Sequence, residues 1–554
     1  MGAGFLRGIG DRERTVDALT LAVIVALSAL PYIGHLGFYS DDWDLIAGFE
    51  AAARSGHSVI ATTLPRYDVR PVQAIYLALL HGAFGLSPLG YHIINTAVIV
   101  ASTVLLYLLL SGLRVSRVEA FAAALIFALM PQLSTVRVWY AAFQIPLSML
   151  LALVAMHAQL HWEQSRRWPW VVVAVAATCL SIGAYEIFAP VIGAFAAATL
   201  LLNVRQYRRL DFGRSLAAIA VLASVVISVG LKFLTQRSAE FADPHDALQM
   251  VRVFLAPHYD WRVSYGLNAF AAMQIYFLYN LRDWSAVLVW LLTGKLGLLV
   301  TAIALATGIL AWWRLRQPED RELPGSHPGW LLLIGLAIFV LGHATFLIVN
   351  SIMFSPTGIG NRVLAGGAVG AALILVALLE FALRAAPPSF RKSLFGLLIA
   401  LLAASAVGRL ELIERFWAEA PELQRQVLLA AKRDLSQLPA GSTVILDGVC
   451  PYHGPAIVFE NKGDISAALS MTLDRKVGGD TVSPRMFGTD SGLDSEIYGE
   501  WAHYPYGPKL FVYNPLQHLV VPLTDAVAAT RYFSRAHRQP MRCPIGYVGQ
   551  GVLV

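Results

Sequence analysis

The chain has 554 residues, of which 57% are hydrophobic and only 14% are charged, and its mean hydropathy is +0.59. Soluble domains carry about 25% charged residues, so this composition excludes a protein that folds entirely in water. The net charge of +6 comes from short clusters of basic residues and not from one basic patch, so no nucleic-acid partner is expected.

The apolar residues form about eleven stretches of roughly 20 residues, each long enough as a helix to cross a hydrocarbon core about 30 Å thick. They predict a polytopic α-helical membrane protein. The first stretch lacks the small-residue cleavage site of a signal peptide, so we expect it to remain as an anchor. The predicted spans lie at residues 16–36, 90–112, 118–135, 139–160, 168–184, 186–203, 215–234, 288–313, 329–350, 363–383 and 393–409.

Clusters of basic residues fall in alternate connections, and the positive-inside rule predicts that these connections are cytoplasmic. They contain Arg7, Arg12 and Arg14; Arg114 and Arg117; Arg166 and Arg167; Arg205, Arg208 and Arg209; Arg314 and Arg316; and Arg391 and Lys392. The N-terminus is then cytoplasmic, and the long loops at about 37–89 and 235–287 are extracytoplasmic. We predict a transmembrane module at residues 1–409 and a soluble extracytoplasmic domain at residues 410–554.

The first outer loop opens with Ser40-Asp41-Asp42-Trp43-Asp44, directly after the first span. Adjacent carboxylates raise one another's pKa, so one can accept a proton while another holds charge or a divalent cation. Oxygen ligands of this kind suit Mg²⁺ or Mn²⁺, which would bind Asp41 and Asp42. In the alternative interpretation, Ser40 or Asp41 caps a helix that begins at Trp43.

The segment from Arg70 to Leu86 is short for a span and has one apolar face. Pro71 suits the first position of a helix, and apolar residues follow at helical spacing. We predict a helix that lies in the outer interface, with Gln73 and His81 on or near its polar side. A short transmembrane helix is the competing interpretation, but it would invert every later loop and break the arginine pattern.

After Arg409 the sequence becomes polar, and a helical stretch leads to the strand-like run Thr443–Leu446. The mixture of patterns predicts an α+β domain. Cys450 and Cys543 lie in this domain, where they pair as a disulfide or remain two separate thiols. The aromatic run Trp501–Gly507 either stacks on sugar faces or belongs to a core.

Several motifs in the first half of the chain occur in a characteristic order. The first loop begins with Phe38-Tyr39-Ser40-Asp41-Asp42-Trp43. The later motifs are, in order, Arg70-Pro71, Phe84-Gly85-Leu86-Ser87-Pro88, Tyr91-His92-Ile93-Ile94-Asn95, Ala128-Leu129-Met130-Pro131 and Val138-Trp139. Together they resemble the GT-C superfamily of membrane glycosyltransferases over about residues 16–210. The later spans agree only in topology, and the C-terminal domain has no counterpart. The resemblance implies a polyprenyl-phosphate sugar donor and a bacterial plasma (inner) membrane.

The resemblance also implies that an acidic residue of the first outer loop is the general base for an inverting displacement at the anomeric carbon. By position this role falls on Asp41 or Asp42, with a slight preference for Asp42. Asp44 is then a helper or a solvated carboxylate. Glu186 is a candidate second acidic contact, because Ala184-Tyr185-Glu186 looks like the place where related enzymes carry a charged residue; hydrogen bonding between helices is the alternative.

The departing lipid phosphate requires a cation at the outer surface. Arg66, Arg70, Arg137 and Arg362 are the candidates, and the resemblance supports Arg362, because related enzymes often have a basic residue near such a late outer loop. In the alternative interpretation these residues are anchors at the lipid headgroups.

The second long outer loop holds Asp243-Pro244-His245-Asp246 and Ala256-Pro257-His258-Tyr259-Asp260-Trp261. A histidine and a carboxylate two residues apart, such as His258 and Asp260, can share a metal or position a sugar hydroxyl. Such pairs also occur in ordinary turns. Both interpretations stay open at this point.

The sequence thus predicts a glycosyltransferase that moves one sugar from a polyprenyl-phosphate donor in the bilayer to a glycan or lipid acceptor of the cell envelope. A transporter or flippase of lipid-linked sugars is the rival, but it would place charges or broken helices near the bilayer midplane. Most acidic residues lie at span ends or in outer loops, and the chief exceptions among the charged residues, Lys232 and Lys295, can both reach an interface. A non-catalytic scaffold with a binding tail is the third possibility. No P-loop, dinucleotide fingerprint or zinc cysteine pattern occurs.

Overall fold

The computed structural model describes residues 11–208, 211–235, 270–317, 327–347, 354–483, 486–497 and 500–536. It confirms a polytopic α-helical membrane protein that ends in an α+β domain. The helices up to residue 235 are α1 (Asp11–Ala29), α2 (Asp41–Arg54), α3 (Val59–Thr63), α4 (Pro71–Phe84), α5 (Pro88–Gly112), α6 (Arg117–Ala128), α7 (Thr135–Val138), α8 (Gln144–Ser165), α9 (Pro169–Ala184), α10 (Ala189–Tyr207) and α11 (Phe212–Thr235).

The later helices of the transmembrane part follow the second long loop. They are α12 (Asn280–Leu292), α13 (Leu298–Arg316), α14 (Pro328–Gly342), α15 (Ala368–Leu383) and α16 (Pro388–Asp434). Short 3₁₀ segments connect several of them, at Leu64–Tyr67, Pro131–Leu133, Tyr140–Ala142, Glu186–Phe188, Ala344–Leu347 and Ile359–Gly366, and Gln274–Tyr279 is a π-helix.

Within the described ranges, six helices are long and apolar enough to cross a bilayer. They are Pro88–Gly112, Tyr140–Ser165, Glu186–Tyr207, Phe212–Lys232, Leu298–Arg316 and Pro388–Asp434. The segment Ile359–Gly366 and α15 form a further candidate that is bent by 69°. Every predicted span overlaps a helix, but α1, α6, α9 and α14 are outside this group of six.

Two sequence-based expectations about these helices were wrong. The predicted span at 288–313 is interrupted, because α12 ends at Leu292, and Gly294 and Gly297 adopt positive φ values of 70° and 81° before α13 begins. In α4, Gln73 and His81 are buried and do not face solvent. The exposed side of α4 carries apolar residues such as Leu79, and its buried side combines Gln73 and His81 with apolar residues such as Leu77.

The last helix of the transmembrane part continues without interruption into the C-terminal domain. It has 47 residues and runs through the predicted domain boundary near residue 410. Beyond the apolar segment it becomes amphipathic, with buried residues at helical spacing. These residues are Ile413, Trp417, Ala420, Gln424, Val427 and Ala431. The helix therefore supplies both a membrane span and the first core element of the domain.

The C-terminal domain contains nine strands and two further helices in its described part. The strands are β1 (Thr443–Leu446), β2 (Tyr452–His453), β3 (Ala456–Ile457), β4 (Gly478–Thr481), β5 (Met486–Gly488), β6 (Gly492–Ile497), β7 (Glu500–Pro505), β8 (Leu510–Asn514) and β9 (Leu519–Pro522). The helices are α17 (Lys462–Leu473) and α18 (Ala526–Ala536).

The main sheet of the domain has the strand order β4-β1-β8-β9, with β1 parallel to both β4 and β8 and with β9 antiparallel to β8. The strands β5, β6 and β7 form a separate antiparallel sheet. The helix α17 leads into β4 and packs against it on one side and against α2 of the first long loop on the other. The domain is thus held directly against the loop that carries the acidic cluster.

A buried ion cluster joins α1, α6 and α13. Asp17 is fully buried, and its carboxylate accepts hydrogen bonds from Arg117 at 2.7 Å and from Arg314 at 2.8 Å. Tyr107 of α5 donates its hydroxyl to the same carboxylate at 2.7 Å. Arg117 and Arg314 belong to the basic clusters in the predicted cytoplasmic connections, and here both side chains are only 3% exposed.

Candidate active site

The carboxylate of Asp42 fixes the start of α2. Its Oδ2 accepts a hydrogen bond from the backbone N–H of Tyr39 at 2.9 Å, and its Oδ1 accepts one from the N–H of Ala141 at 2.8 Å. The side chain is fully buried, and burial raises the pKa of Asp42 well above its usual range, while these N–H groups act in the opposite direction. Both oxygens are therefore used by the fold and are not presented to a substrate.

Asp41 is exposed at the same helix terminus. Burial raises the pKa of Tyr67 to about 12, and the negative charge of Asp41 contributes to that rise, so the two groups are neighbours. Arg66 is next to Tyr67 and forms an ion pair with Asp44. The geometry favours Asp41 as the accessible carboxylate, which reverses the slight preference for Asp42 that the sequence suggested.

The residue before Asp41 has an uncommon backbone conformation. Ser40 adopts φ 49° and ψ −123°, and it makes no side-chain capping hydrogen bond to α2. Its hydroxyl instead donates to Oε1 of Glu460 at 2.5 Å. Ser40 therefore occupies the N-cap position of α2, as predicted, but its side chain does not cap the helix. Glu460 belongs to the C-terminal domain, and nothing in its local sequence indicated a contact with residue 40.

A second charged cluster connects α4, the turn before α10, and α11. Arg70 donates two hydrogen bonds to Glu186, at 2.6 and 3.1 Å, and Lys232 donates a third at 2.8 Å. The guanidinium group of Arg70 also lies over the ring of Tyr185, at 4.4 Å from its centroid. Burial lowers the pKa of Arg70, but the charge of Glu186 more than offsets this and raises it overall. Two cations and one carboxylate leave a net positive charge.

Arg362 is linked to the start of α2 by the side chain of Trp139, which contacts both Arg362 and Tyr39. Its guanidinium carbon is 4.8 Å from the centroid of Trp139. The indole N–H of Trp139 donates to the carbonyl oxygen of Tyr39 at 3.1 Å. The segment before α15 is held in place by Asn361, whose side chain donates to the hydroxyl of Ser134 at 2.9 Å. The fold thus brings together residues near positions 40, 139 and 362.

Arg137 has a different position from the other candidate cations. It is buried, donates to the hydroxyl of Tyr32 at 2.8 Å, and forms an ion pair with the buried carboxylate of Glu414 at 3.1 Å. Glu414 belongs to α16, so this ion pair connects α16 to the segment between α6 and α8. Arg137 is therefore not available at the surface as a ligand for the donor phosphate.

Three predicted site residues lie outside the described residues, namely His258, Asp260 and Cys543. Cys450 is disulfide-bonded, whereas Cys179 is a free thiol. Because Cys543 is not described, the pairing of Cys450 with Cys543 stays a prediction.

Asp41 and Asp42 differ in how a divalent cation could reach them. Each oxygen of the buried Asp42 accepts one backbone N–H group, whereas Asp41 is exposed. Across the described residues there is also no group of three or more histidine, cysteine, aspartate or glutamate side chains arranged to hold a metal ion. The Mg²⁺ or Mn²⁺ site at Asp41 and Asp42 stays a prediction.

Comparison with known proteins gave matches among solved structures alone, since no family model and no curated protein matches the chain. One match is ArnT from Cupriavidus metallidurans bound to undecaprenyl phosphate, at 16% identity over 84% of this chain and 85% of that one, with a TM-score of 0.39. Another is the mycobacterial arabinofuranosyltransferase AftD, at 17% identity over 86% of this chain and 32% of that one, with a TM-score of 0.40.

A third match is the oligosaccharyltransferase AglB from Archaeoglobus fulgidus in complex with an inhibitory peptide and a dolichol-phosphate. It has 14% identity over 83% of this chain and 64% of that one, with a TM-score of 0.37. These three proteins are GT-C glycosyltransferases.

Proposed function

We propose that this chain is an inverting membrane glycosyltransferase in the bacterial plasma membrane. It takes one sugar from a polyprenyl-phosphate donor and transfers it to a glycan or lipid acceptor on the extracytoplasmic face. Asp41 is its general base. The proposal combines the resemblance of the first-loop motifs to the GT-C superfamily with the arrangement of the charged side chains described above.

The observation that carries the proposal is the contrast between two adjacent carboxylates. Asp42 is buried and bound to two backbone segments, so it holds the N-terminus of α2 in a fixed place. Asp41 follows the turn at Ser40 and is exposed at that fixed place. An exposed carboxylate on a rigid support is what a general base requires, because the base must lie within hydrogen-bond reach of the acceptor hydroxyl.

The chemistry follows from this placement. The acceptor hydroxyl transfers its proton to Asp41 while its oxygen forms a bond to the anomeric carbon of the donor sugar. The bond between that carbon and the phosphate oxygen breaks on the opposite face, which inverts the configuration. The lipid phosphate leaves with the electron pair and gains negative charge, and that charge needs a cation in the transition state.

Arg362 is the cation that we assign to the departing phosphate. The aromatic contact with Trp139 orients its guanidinium plane and links it to the loop that carries Asp41. Planar guanidinium groups bind phosphate oxygens with two parallel hydrogen bonds. The Arg70–Glu186–Lys232 cluster has a net positive charge and supplies a second attraction for an anionic headgroup.

A small apolar cavity lies among α5, α6, α8 and the segment before α15, and its volume is about 30 Å³. Its lining is almost entirely apolar, including Ile99, Phe127, Met149 and Phe188, with Arg137 as the charged member. The cavity has room for little more than one water molecule, so it marks apolar packing between these helices and is too small to hold a prenyl chain.

The test is a transfer assay with the purified full-length protein in lipid vesicles, radiolabelled polyprenyl-phosphate sugars and envelope extract. We expect transfer by the parent protein and a loss of about 100-fold or more in kcat for Asp41→Asn, since general-base catalysis contributes about 10²- to 10⁴-fold. The melting temperature of this variant should match that of the parent. Asp42→Asn should instead lower the melting temperature, because an amide cannot accept both backbone N–H groups.

Asp474→Asn is the matched control, because Asp474 is an exposed carboxylate of the C-terminal domain and is not part of the site. Its transfer rate should equal that of the parent. If Asp41→Asn transfers sugar as fast as the parent, the assignment of the base is wrong. If labelled donor moves across the bilayer without any transfer, the transporter hypothesis is favoured over the enzyme.

A further inference from the structure

The strongest feature outside the proposed chemistry is the junction between the first loop and the C-terminal domain. Glu460 is only 5% exposed and lies between β3 and α17. One of its carboxylate oxygens accepts the hydroxyl of Ser40 at 2.5 Å, and the other accepts the hydroxyl of Tyr452 at 2.6 Å. A carboxylate of the domain therefore holds the residue that immediately precedes Asp41.

The surroundings of Glu460 fix its position. Its backbone N–H donates to Asp464 at 2.7 Å, which anchors it to the start of α17. The preceding residue, Phe459, packs its ring against Trp43 of α2, with 6.4 Å between the centroids. Nearby, the hydroxyl of Tyr39 donates to the backbone carbonyl of Trp417 in α16 at 2.5 Å. The contact with Ser40 thus belongs to a wide, well-packed interface.

The backbone at Ser40 gives this contact a specific task. Its φ of 49° is in the region that favours glycine. A residue with a side chain is held there at a cost of about 1–3 kcal/mol, and it persists only where its surroundings impose that conformation. The hydrogen bond from Ser40 to Glu460 is a contact that imposes it. Without this bond, Ser40 should relax to a common conformation and move the residue that follows.

We propose that Glu460 is a positioning residue for the general base. It holds Ser40 in its glycine-like conformation, so that Asp41 emerges from the helix terminus toward the acceptor. The C-terminal domain is then a part of the active site, although it contributes no group that touches the substrate. This inference rests on the proposed function and adds the reason why a transmembrane enzyme of this design carries a soluble domain against its first loop.

The test uses a change of backbone preference at residue 40. Glu460→Ala should lower kcat by about 10- to 100-fold, since a displacement of about 1 Å at a reacting group is sufficient for a loss of this size. The KM for the donor should stay close to that of the parent. Ser40→Gly should be nearly as active as the parent, because glycine adopts this conformation without the hydrogen bond. The double variant Ser40→Gly/Glu460→Ala should therefore recover most of the kcat that Glu460→Ala loses by itself.

The recovery distinguishes positioning from a general loss of stability. A purely structural role for Glu460 predicts the same loss in the parent and in the Ser40→Gly background, and that result would overturn the proposal. Glu460→Gln keeps an acceptor oxygen for Ser40 and should lose less activity than Glu460→Ala. An equal loss of activity in Glu460→Gln and Glu460→Ala also contradicts the proposal, because it would mean that the charge of Glu460 matters and its hydrogen bond to Ser40 does not.

The matched control removes another contact between α2 and the domain. Arg54 donates to Asp474 at 2.8 Å on the exposed side of the same interface. Arg54→Ala should leave kcat unchanged in both backgrounds. The outcomes also separate the two proposals: if the parent shows no sugar transfer, the proposed function fails, whereas a parent that transfers sugar with Glu460→Ala at the parental rate refutes the positioning role alone.

Discussion

At the scale of single residues, the decisive difference is between Asp41 and Asp42. Both are carboxylates in the same loop, and the sequence supports only a slight preference for Asp42. The fold distinguishes them because the N–H of Ala141, far away in the chain, binds only Asp42. Burial of one neighbour and exposure of the other are consequences of this long-range contact, and no local pattern encodes it.

Arg362 offers the sharpest prediction for donor binding. Arg362→Ala should reduce kcat/KM for the donor by about 10- to 100-fold, which corresponds to the roughly 1.5–3 kcal/mol of a hydrogen bond to a charged group. Arg362→Lys should restore little, because an ammonium group has neither the planar stacking surface nor the paired donors of a guanidinium group. Steady-state kinetics with varied donor concentration measures both effects.

Arg384 provides the control for Arg362. Its guanidinium carbon lies 4.8 Å from the centroid of Phe381, so it makes the same kind of aromatic contact at the same distance. Arg384→Ala should leave the kinetics unchanged. A loss of equal size in both variants would mean that the contact with the ring, and not the phosphate, explains the effect.

At the scale of elements, helices are more predictable than their orientation. The apolar face of α4 and its proline at the first position were evident in the sequence. The sequence could not tell that His81 would turn inward, where it contacts Glu50 of α2 at 3.1 Å. The amphipathic pattern predicts an apolar face and a polar face for α4. Which of the two faces packs against the rest of the protein depends on a partner helix, and a local pattern cannot specify that partner.

The ion cluster at Asp17 gives a prediction about how helices are held together. Asp17→Asn removes the fully buried carboxylate that Arg117 and Arg314 share, and leaves Glu13, whose side chain is 32% exposed, as their carboxylate partner. Removal of one partner from a buried ion pair costs about 3–5 kcal/mol. We therefore expect a clearly lower melting temperature in detergent.

The control for Asp17 is Glu422→Gln. Glu422 forms an exposed pair with Arg425 on the surface of α16 at 2.7 Å, and solvent screens such pairs strongly. The melting temperature of this variant should equal that of the parent. If Asp17→Asn is as stable as the parent, the cluster does not hold α1, α6 and α13 together in the way that the contacts indicate.

At the scale of the whole molecule, the contact between α2 and α17 requires that the first long loop and the C-terminal domain lie on the same side of the membrane. The positive-inside rule assigns that side to the exterior. The connection at Arg114 should lie on the opposite side. These statements form one prediction about topology that does not depend on the enzyme assignment.

Cysteine labelling tests this topology. In a Cys179→Ser background, we expect a membrane-impermeant maleimide to label His57→Cys and Asp474→Cys in spheroplasts without permeabilisation. Arg114→Cys should be labelled only after permeabilisation. The Cys179→Ser protein without added cysteines is the control, because it shows how much label the native cysteines of the C-terminal domain take up. Labelling of His57→Cys and Asp474→Cys from opposite sides would contradict the packing of α2 against α17.

The sequence by itself determined that this chain is a polytopic membrane protein, where most of its helices lie, and that a loop rich in carboxylates follows the first span. Hydropathy and helical periodicity are local properties, and the bilayer imposes a length that can be counted along the chain. Only the tertiary structure decided that Asp42 is buried, that Asp41 is exposed, and that Glu460 holds Ser40. These features depend on contacts between residues that are 99 and 420 positions apart, and such contacts exist only after the helices and the C-terminal domain have packed together.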